Sequence, residues 1–209
     1  MIWDTLLAFP QATLLAFLAG ALVLNFTPGA DVLFATASGI QGGPKVGAAA
    51  GLGVGVGGIV HVLATAFGLG ALVAAHPAAL VAVRWAGAGY LLWIAVKSWR
   101  ARPVQLEAGQ GVPTLVAAFR RGVITNVLNP KVILFMLAYL PQFTDPAIGP
   151  VWQQILILGG IFFCTGTLVT TGYGALAGWL GARLARRMGV LNRVAAVLFG
   201  ALALRLALE

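Results

Sequence analysis

The chain is poor in nearly everything that a water-facing surface or a reactive centre is made from. Its 209 residues include one cysteine, two histidines and five acidic residues, and only 9% are charged. A lone Cys164 excludes an intramolecular disulfide and any thiol relay that needs two sulfurs. Soluble domains carry about 25% charged residues, so this chain lacks the groups to cover a soluble surface. Two histidines and few carboxylates supply no ligand cluster, so no metal is expected, and no cofactor motif is present. Residues 1–11 contain Asp4 but neither Lys nor Arg. They therefore lack the basic segment of a secretory signal, and the first apolar run is expected to be a retained span.

What is abundant is apolar. The chain is 60% hydrophobic, with a mean hydropathy of +0.97. Each membrane crossing takes roughly 20 apolar residues, and six segments of that kind can be read. They run from Ala12 to Ser38, Val46 to Ala75, Ala78 to Trp99, Leu115 to Leu140, Trp152 to Leu180 and Val190 to Leu208. Turn and charge signals separate them: Gly42-Gly43-Pro44-Lys45, His76-Pro77, the stretch from Arg100 to Pro113, Asp145-Pro146, and Arg183 to Gly189. The expected fold is all-α, a polytopic membrane protein of six transmembrane helices.

The net charge is +8, yet no basic stripe alternates with stacking aromatics, so nucleic acid is not an expected partner. The positives are left to orient the chain and to meet anionic lipid. Ten of the thirteen basic residues fall in or beside the first, third and fifth loops. Among them are Lys45, the group from Lys97 to Arg121, and Arg183, Arg186, Arg187 and Arg193. Basic loops stay in the cytoplasm, which places both termini in the periplasm.

Shifted by 102 residues, the sequence aligns with itself. Pro28 falls on Pro130 and Pro44 on Pro146, while Gly20, Gly47, Gly57, Gly58, Gly70 and Gly87 fall on glycines. This reads as two three-helix repeats, residues 1–101 and 102–209. An odd number of spans inverts the second against the first. Inverted repeats characterise transporters whose site lies near the midplane, where helices of both halves are interrupted.

The interrupted helices are the first and the fourth. One carries Asn25, Thr27, Pro28, Gly29 and Asp31; the other carries Asn126, Asn129, Pro130 and Lys131. Proline within a span frees a carbonyl and bends or breaks the helix, which lipid tolerates only where protein or a cavity satisfies the backbone. Such carbonyls and amides suit the two poles of a zwitterion. Lys131 lies ten residues past Arg121, about 15 Å along a helix, near the middle of the membrane. A charge there is a functional hypothesis by default. Asp31 would take a substrate ammonium or a coupling proton, and Lys131 a carboxylate. Alternatively the two form a structural ion pair that locks the broken helices together. His61, mid-span in the second helix, is either a proton relay or a hydrogen-bonded structural residue. Glycines at 43, 47, 51, 53 and 55 suit close helix packing and leave room for self-association. Thr165, Thr167, Thr170, Thr171 and Tyr173 give the fifth span a polar content that can line a path.

At these residues the chain resembles the LysE/RhtB family of amino-acid exporters over nearly its whole length. The motifs are Pro28-Gly29-Ala30-Asp31, the glycine ladder, Gly87-Ala88-Gly89-Tyr90-Leu91, and the run Phe119 to Lys131 with its Asn-Pro-Lys, followed by Pro141-Gln142-Phe143. Alanine stands where the family motif has a second proline. The resemblance implies export of amino acids such as homoserine, threonine, leucine, lysine or arginine. It further implies proton exchange and a bacterial inner membrane. With Asp31 the sole acidic residue within a span, a neutral amino acid is favoured. The alternatives are export of another small solute or a cation, a passive channel, or an intramembrane enzyme. Ser38-Gly39 with His61 invites comparison with a membrane serine protease, but Thr36 replaces the glycine that the motif needs.

Overall fold

The computed structural model describes residues 2–76, 78–100 and 111–180, together with isolated helical positions between 193 and 204. The expected sixth span, the Arg183–Arg187 cluster, Arg102 and Pro77 lie largely or wholly outside the described residues. Every regular element among those described is helical: α1 (Ile2–Ala8), α2 (Gln11–Phe26), α3 (Ala30–Gly42), α4 (Pro44–Ala75), α5 (Ala79–Trp99), α6 (Leu115–Val127), α7 (Pro130–Tyr139) and α8 (Val151–Leu180). Short 3-10 turns follow α7 at Leu140–Phe143 and Pro146–Ile148.

Three of these helices, α4, α5 and α8, are long and apolar enough to cross a bilayer on their own. Two bent pairs raise the number to five: α1 with α2, which meet at 93°, and α6 with the stretch Pro130–Phe143, which meet at 50°. Helix α1 has no counterpart in the sequence reading. Pro10, in an extended conformation at the start of α2, forces the turn, because the residue before a proline is driven out of helical geometry. Large apolar side chains face outward on every long helix. Leu168 is 75% exposed and Trp179 82%. Meanwhile Asn25, Thr36, His61, Asn126, Asn129 and Gln154 are buried. Polar groups inside and apolar groups outside is the arrangement that lipid selects.

The centre of the bundle is the crossing of α4 and α8. Gly47 meets Gly174, Gly51 meets Thr171, Gly55 meets Thr167, Val62 meets Gly159 and Gly70 meets Trp152. Numbers rise on one helix as they fall on the other, so the two run antiparallel. A Cβ at Gly47 would overlap the carbonyl of Gly174, and one at Gly174 the carbonyl of Gly47. Without an aqueous drive between spans, such close backbone approach maximises dispersion contact. Gly43 makes the sharp turn between α3 and α4 at φ 85°, a region costly for any residue with a Cβ, and Pro44 then opens α4 where its missing N–H is no loss.

Helices α2 and α3 pack on α8, and α6 and α7 pack on α4. At the end where α7 terminates, a run of rings closes the core. Phe162 stacks on Phe135, Phe135 on Tyr139, and Tyr139 contacts Phe17 and Phe143. The Tyr139 hydroxyl donates to the Phe17 carbonyl at 2.9 Å. Arg84 on α5 ties this end down by donating to the carbonyls of Pro141 and Thr144.

Candidate functional site

The two helix breaks meet. Helix α2 stops at Phe26, where Thr27 turns its amide onto the Val23 and Leu24 carbonyls and its hydroxyl onto Val23 at 2.6 Å. Thr27 and Gly29 are extended, and no side chain caps the first amides of α3. Helix α6 stops at Val127. Asn129 is extended and caps α7, its Oδ1 accepting the Lys131 amide at 3.0 Å. Proline is what separates the pieces in each case, since it cannot donate the bond that would continue the ladder.

Asp31 enters from the first break and is met by asparagines of the second. Its Oδ2 accepts from Asn126 Nδ2 at 2.9 Å and from Asn129 Nδ2 at 3.1 Å. Its Oδ1 is buried and has no partner among the described residues, and neither has Oδ1 of Asn126. Lys131 reaches the other way. Its ammonium lies 3.3 Å from the place where Gly29 would carry a Cβ, so a methyl there would push the lysine end aside by a few tenths of an ångström. Lys131 makes no hydrogen bond to Asp31, so the alternative of a direct ion pair is not what this structure holds; asparagine amides stand between the elements and hold the carboxylate.

Around these groups lies a cavity of about 80 Å³. One water needs roughly 10–15 Å³ measured this way, so the space suits a solute of several heavy atoms. Of the residues singled out in the sequence, Asn25, Thr27, Gly29, Asp31, Asn126, Asn129 and Lys131 line it. Pro28 and Pro130 shape the breaks without lining it. His61 is fully buried on α4, and its Nε2 lies 2.8 Å from the Asn126 carbonyl, where α6 ends. It therefore secures the broken helix from behind and does not face the cavity. Ser38 shares no hydrogen bond with His61, so the two form no Ser–His pair.

Several wall residues carried no signal of their own. Phe162, Phe163 and Gly166 on α8 and Met136 on α7 are among them, and Gly58 on α4, marked in the sequence only as a repeat position, lines the cavity with them. They sit in apolar runs where nothing local distinguishes a wall from a lipid-facing turn. Of the fifth-span threonines, Thr167 and Thr170 line the cavity. Thr165 accepts a bond from Asn25 Nδ2 at 3.0 Å and so fixes the last turn of α2.

Comparison with known proteins places these features in company. The family model for LysE type translocators matches residues 22–209. A homoserine/homoserine lactone efflux protein of Salmonella typhi is 33% identical over 189 residues, covering 88% of this chain and 90% of that protein. A leucine efflux protein of an Enterobacter species is 32% identical over 145 residues, 68% of each chain. An uncharacterized membrane protein of Vibrio cholerae is 34% identical over 181 residues, 86% of this chain and 87% of its own. No solved structure matches.

Proposed function

The chain belongs to the family of LysE type translocators, and from that membership we propose that it exports small neutral amino acids from the cytoplasm in exchange for protons. The observation that carries this reading is the unpartnered, buried Oδ1 of Asp31 in a cavity whose other charged group is Lys131. A zwitterion supplies what each lacks. Its ammonium donates to Asp31 Oδ1. Its carboxylate meets the Lys131 ammonium beside Gly29 and the uncapped amides at the start of α3, where the helix dipole favours an anion. The site carries one negative and one positive charge, so a zwitterion without side-chain charge leaves it neutral. A lysine or arginine side chain would need a second carboxylate, and the described residues of the cavity wall supply none.

Exchange follows from competition. The substrate ammonium and a proton both satisfy the Asp31 carboxylate, and they cannot do so together. A carrier that changes sides only when Asp31 is satisfied moves an amino acid out and a proton in. The two alternating states need two halves that rock against each other. We read those halves as residues 1–101 and 102–209, inverted repeats of three spans each, in a bacterial inner membrane with both termini in the periplasm. The packing supports this: α2 and α3 lie on α8 as α6 and α7 lie on α4, and α4 and α8 cross antiparallel at the centre. The names of relatives agree with a neutral substrate, homoserine in one case and leucine in another.

The test is efflux from preloaded cells of homoserine, threonine, leucine and lysine, comparing the wild type with Asp31→Asn and Lys131→Ala at matched expression. The neutral amino acids should leave faster than in the empty-vector control, lysine should not, and each variant should lose at least tenfold of the gain. Release of no amino acid, or full activity in both variants, would overturn the reading.

A further inference from the structure

We propose that Gly58 is the residue that decides which substrate side chains the cavity accepts. The inference rests on the export reading above. Most glycines of α4 are there for packing. A Cβ at Gly47, Gly51 or Gly53 would strike backbone of α8 or α6, and one at Gly55 or Gly57 would strike Thr167 or Asn126. Gly58 differs. A Cβ there would meet only Phe163 Cδ2 at 3.3 Å and Asn126 Oδ1 at 3.8 Å, and would otherwise stand in open space. That space is the cavity, since Gly58, Phe163 and Asn126 all line it.

This end of the cavity lies across Asn126 from Asp31. The amide nitrogen of Asn126 is committed to Asp31, while its Oδ1 is buried, has no partner among the described residues, and lies 3.2 Å from the Cβ position of Gly57 and 3.8 Å from that of Gly58. Phe163 supplies an apolar face beside it. With the ammonium held at Asp31 and the carboxylate at Lys131, the substrate side chain is directed here. An apolar wall with one lone acceptor takes short aliphatic or hydroxylated side chains and rejects a cation-free bulky ring for lack of room. In a space of about 80 Å³, one methyl group is a large fraction of what is available. A single methylene in a fitted pocket is worth about 10- to 200-fold in discrimination.

Gly160, 102 residues further on, provides the control. A Cβ there meets nothing within 4 Å, and the residue lies in the groove beside Ile2 and Trp3, not in the cavity. The experiment is the efflux panel of alanine, serine, homoserine, threonine and leucine for the wild type, Gly58→Ala, Gly160→Ala and Phe163→Leu. Gly58→Ala should reduce release of the largest transported amino acid at least tenfold relative to the smallest. Gly160→Ala should leave the profile as it is, and Phe163→Leu should shift it toward larger side chains. Equal loss across the panel in Gly58→Ala with no shift in Phe163→Leu would overturn the assignment while leaving export intact. No release by the wild type would overturn the export reading and this assignment with it.

Discussion

The two asparagines that hold Asp31 are not equivalent, and the structure ranks them against their bond lengths. Asn126 makes the shorter bond, 2.9 Å against 3.1 Å for Asn129, so distance alone marks it as the stronger support. Either truncation to alanine removes a hydrogen bond to a charged group, worth about 1.5–3 kcal/mol. Asn129→Ala also removes the cap on the Lys131 amide, a further ~1 kcal/mol. Asn126→Ala instead removes a carbonyl oxygen that is buried without a partner, which relieves about 1–3 kcal/mol. The small void left by each amide adds a similar cost to both. Leaving that shared cost aside, the balance is a loss of about 2.5–4 kcal/mol for Asn129→Ala and a change of about zero for Asn126→Ala, where the two contributions nearly cancel. Thermal unfolding of the purified protein in detergent, without substrate, measures the ranking. Repeating both in an Asp31→Ala background isolates the cause: the Asn129→Ala loss should shrink to the cap alone, and Asn126→Ala should become neutral or stabilising. If Asn126→Ala is the more damaging of the two in the wild-type background, the reasoning from the orphaned oxygen is wrong.

Two further outcomes follow from the packing. Tyr139→Phe removes the bond to the Phe17 carbonyl and should lower stability by about 0.5–1.5 kcal/mol; Gly20→Ala, whose methyl would overlap the Tyr139 hydroxyl, should be partly rescued by adding it, and failure of any rescue in a melting experiment would count against that contact. Arg84→Met leaves the Pro141 and Thr144 carbonyls without their charged donor, so protease cleavage within residues 140–150 should accelerate; an unchanged cleavage rate would show that the turn holds by itself.

Much of this was written in the sequence, for identifiable reasons. Spans show as hydropathy, and the breaks at Pro28 and Pro130 show because proline acts locally. The coincidence of the two breaks was legible only through the 102-residue shift, which places Asp31 and Lys131 in one neighbourhood without contact information. What escaped depends on how distant helices register. The bond from His61 to the Asn126 carbonyl joins residues 65 apart, and no local pattern distinguishes that bond from a cavity-facing imidazole. The same holds for Asp31, whose partners turned out to be Asn126 and Asn129 and not Lys131. Phe162 and Phe163 are neighbours in one apolar run, yet one continues the stack of rings toward Tyr139 and both wall the cavity. The bend after α1 has a local signal in Pro10, a breaker that carries no weight in the targeting pattern of residues 1–11.

The crossing of α4 and α8 has a consequence for heredity. Glycine is the smallest residue, so every missense change at such a contact adds volume and none can subtract it. Where the opposing atom belongs to a side chain, a second mutation can make room: Gly55→Ala faces the Thr167 hydroxyl, and Thr167→Ala is its natural suppressor. Where the opposing atom is backbone, as for Gly47 against Gly174, the partner has nothing left to give up. Selection for revertants of Gly47→Ala should therefore return true back-mutations or changes far from the contact, whereas Gly55→Ala should yield suppressors at residue 167.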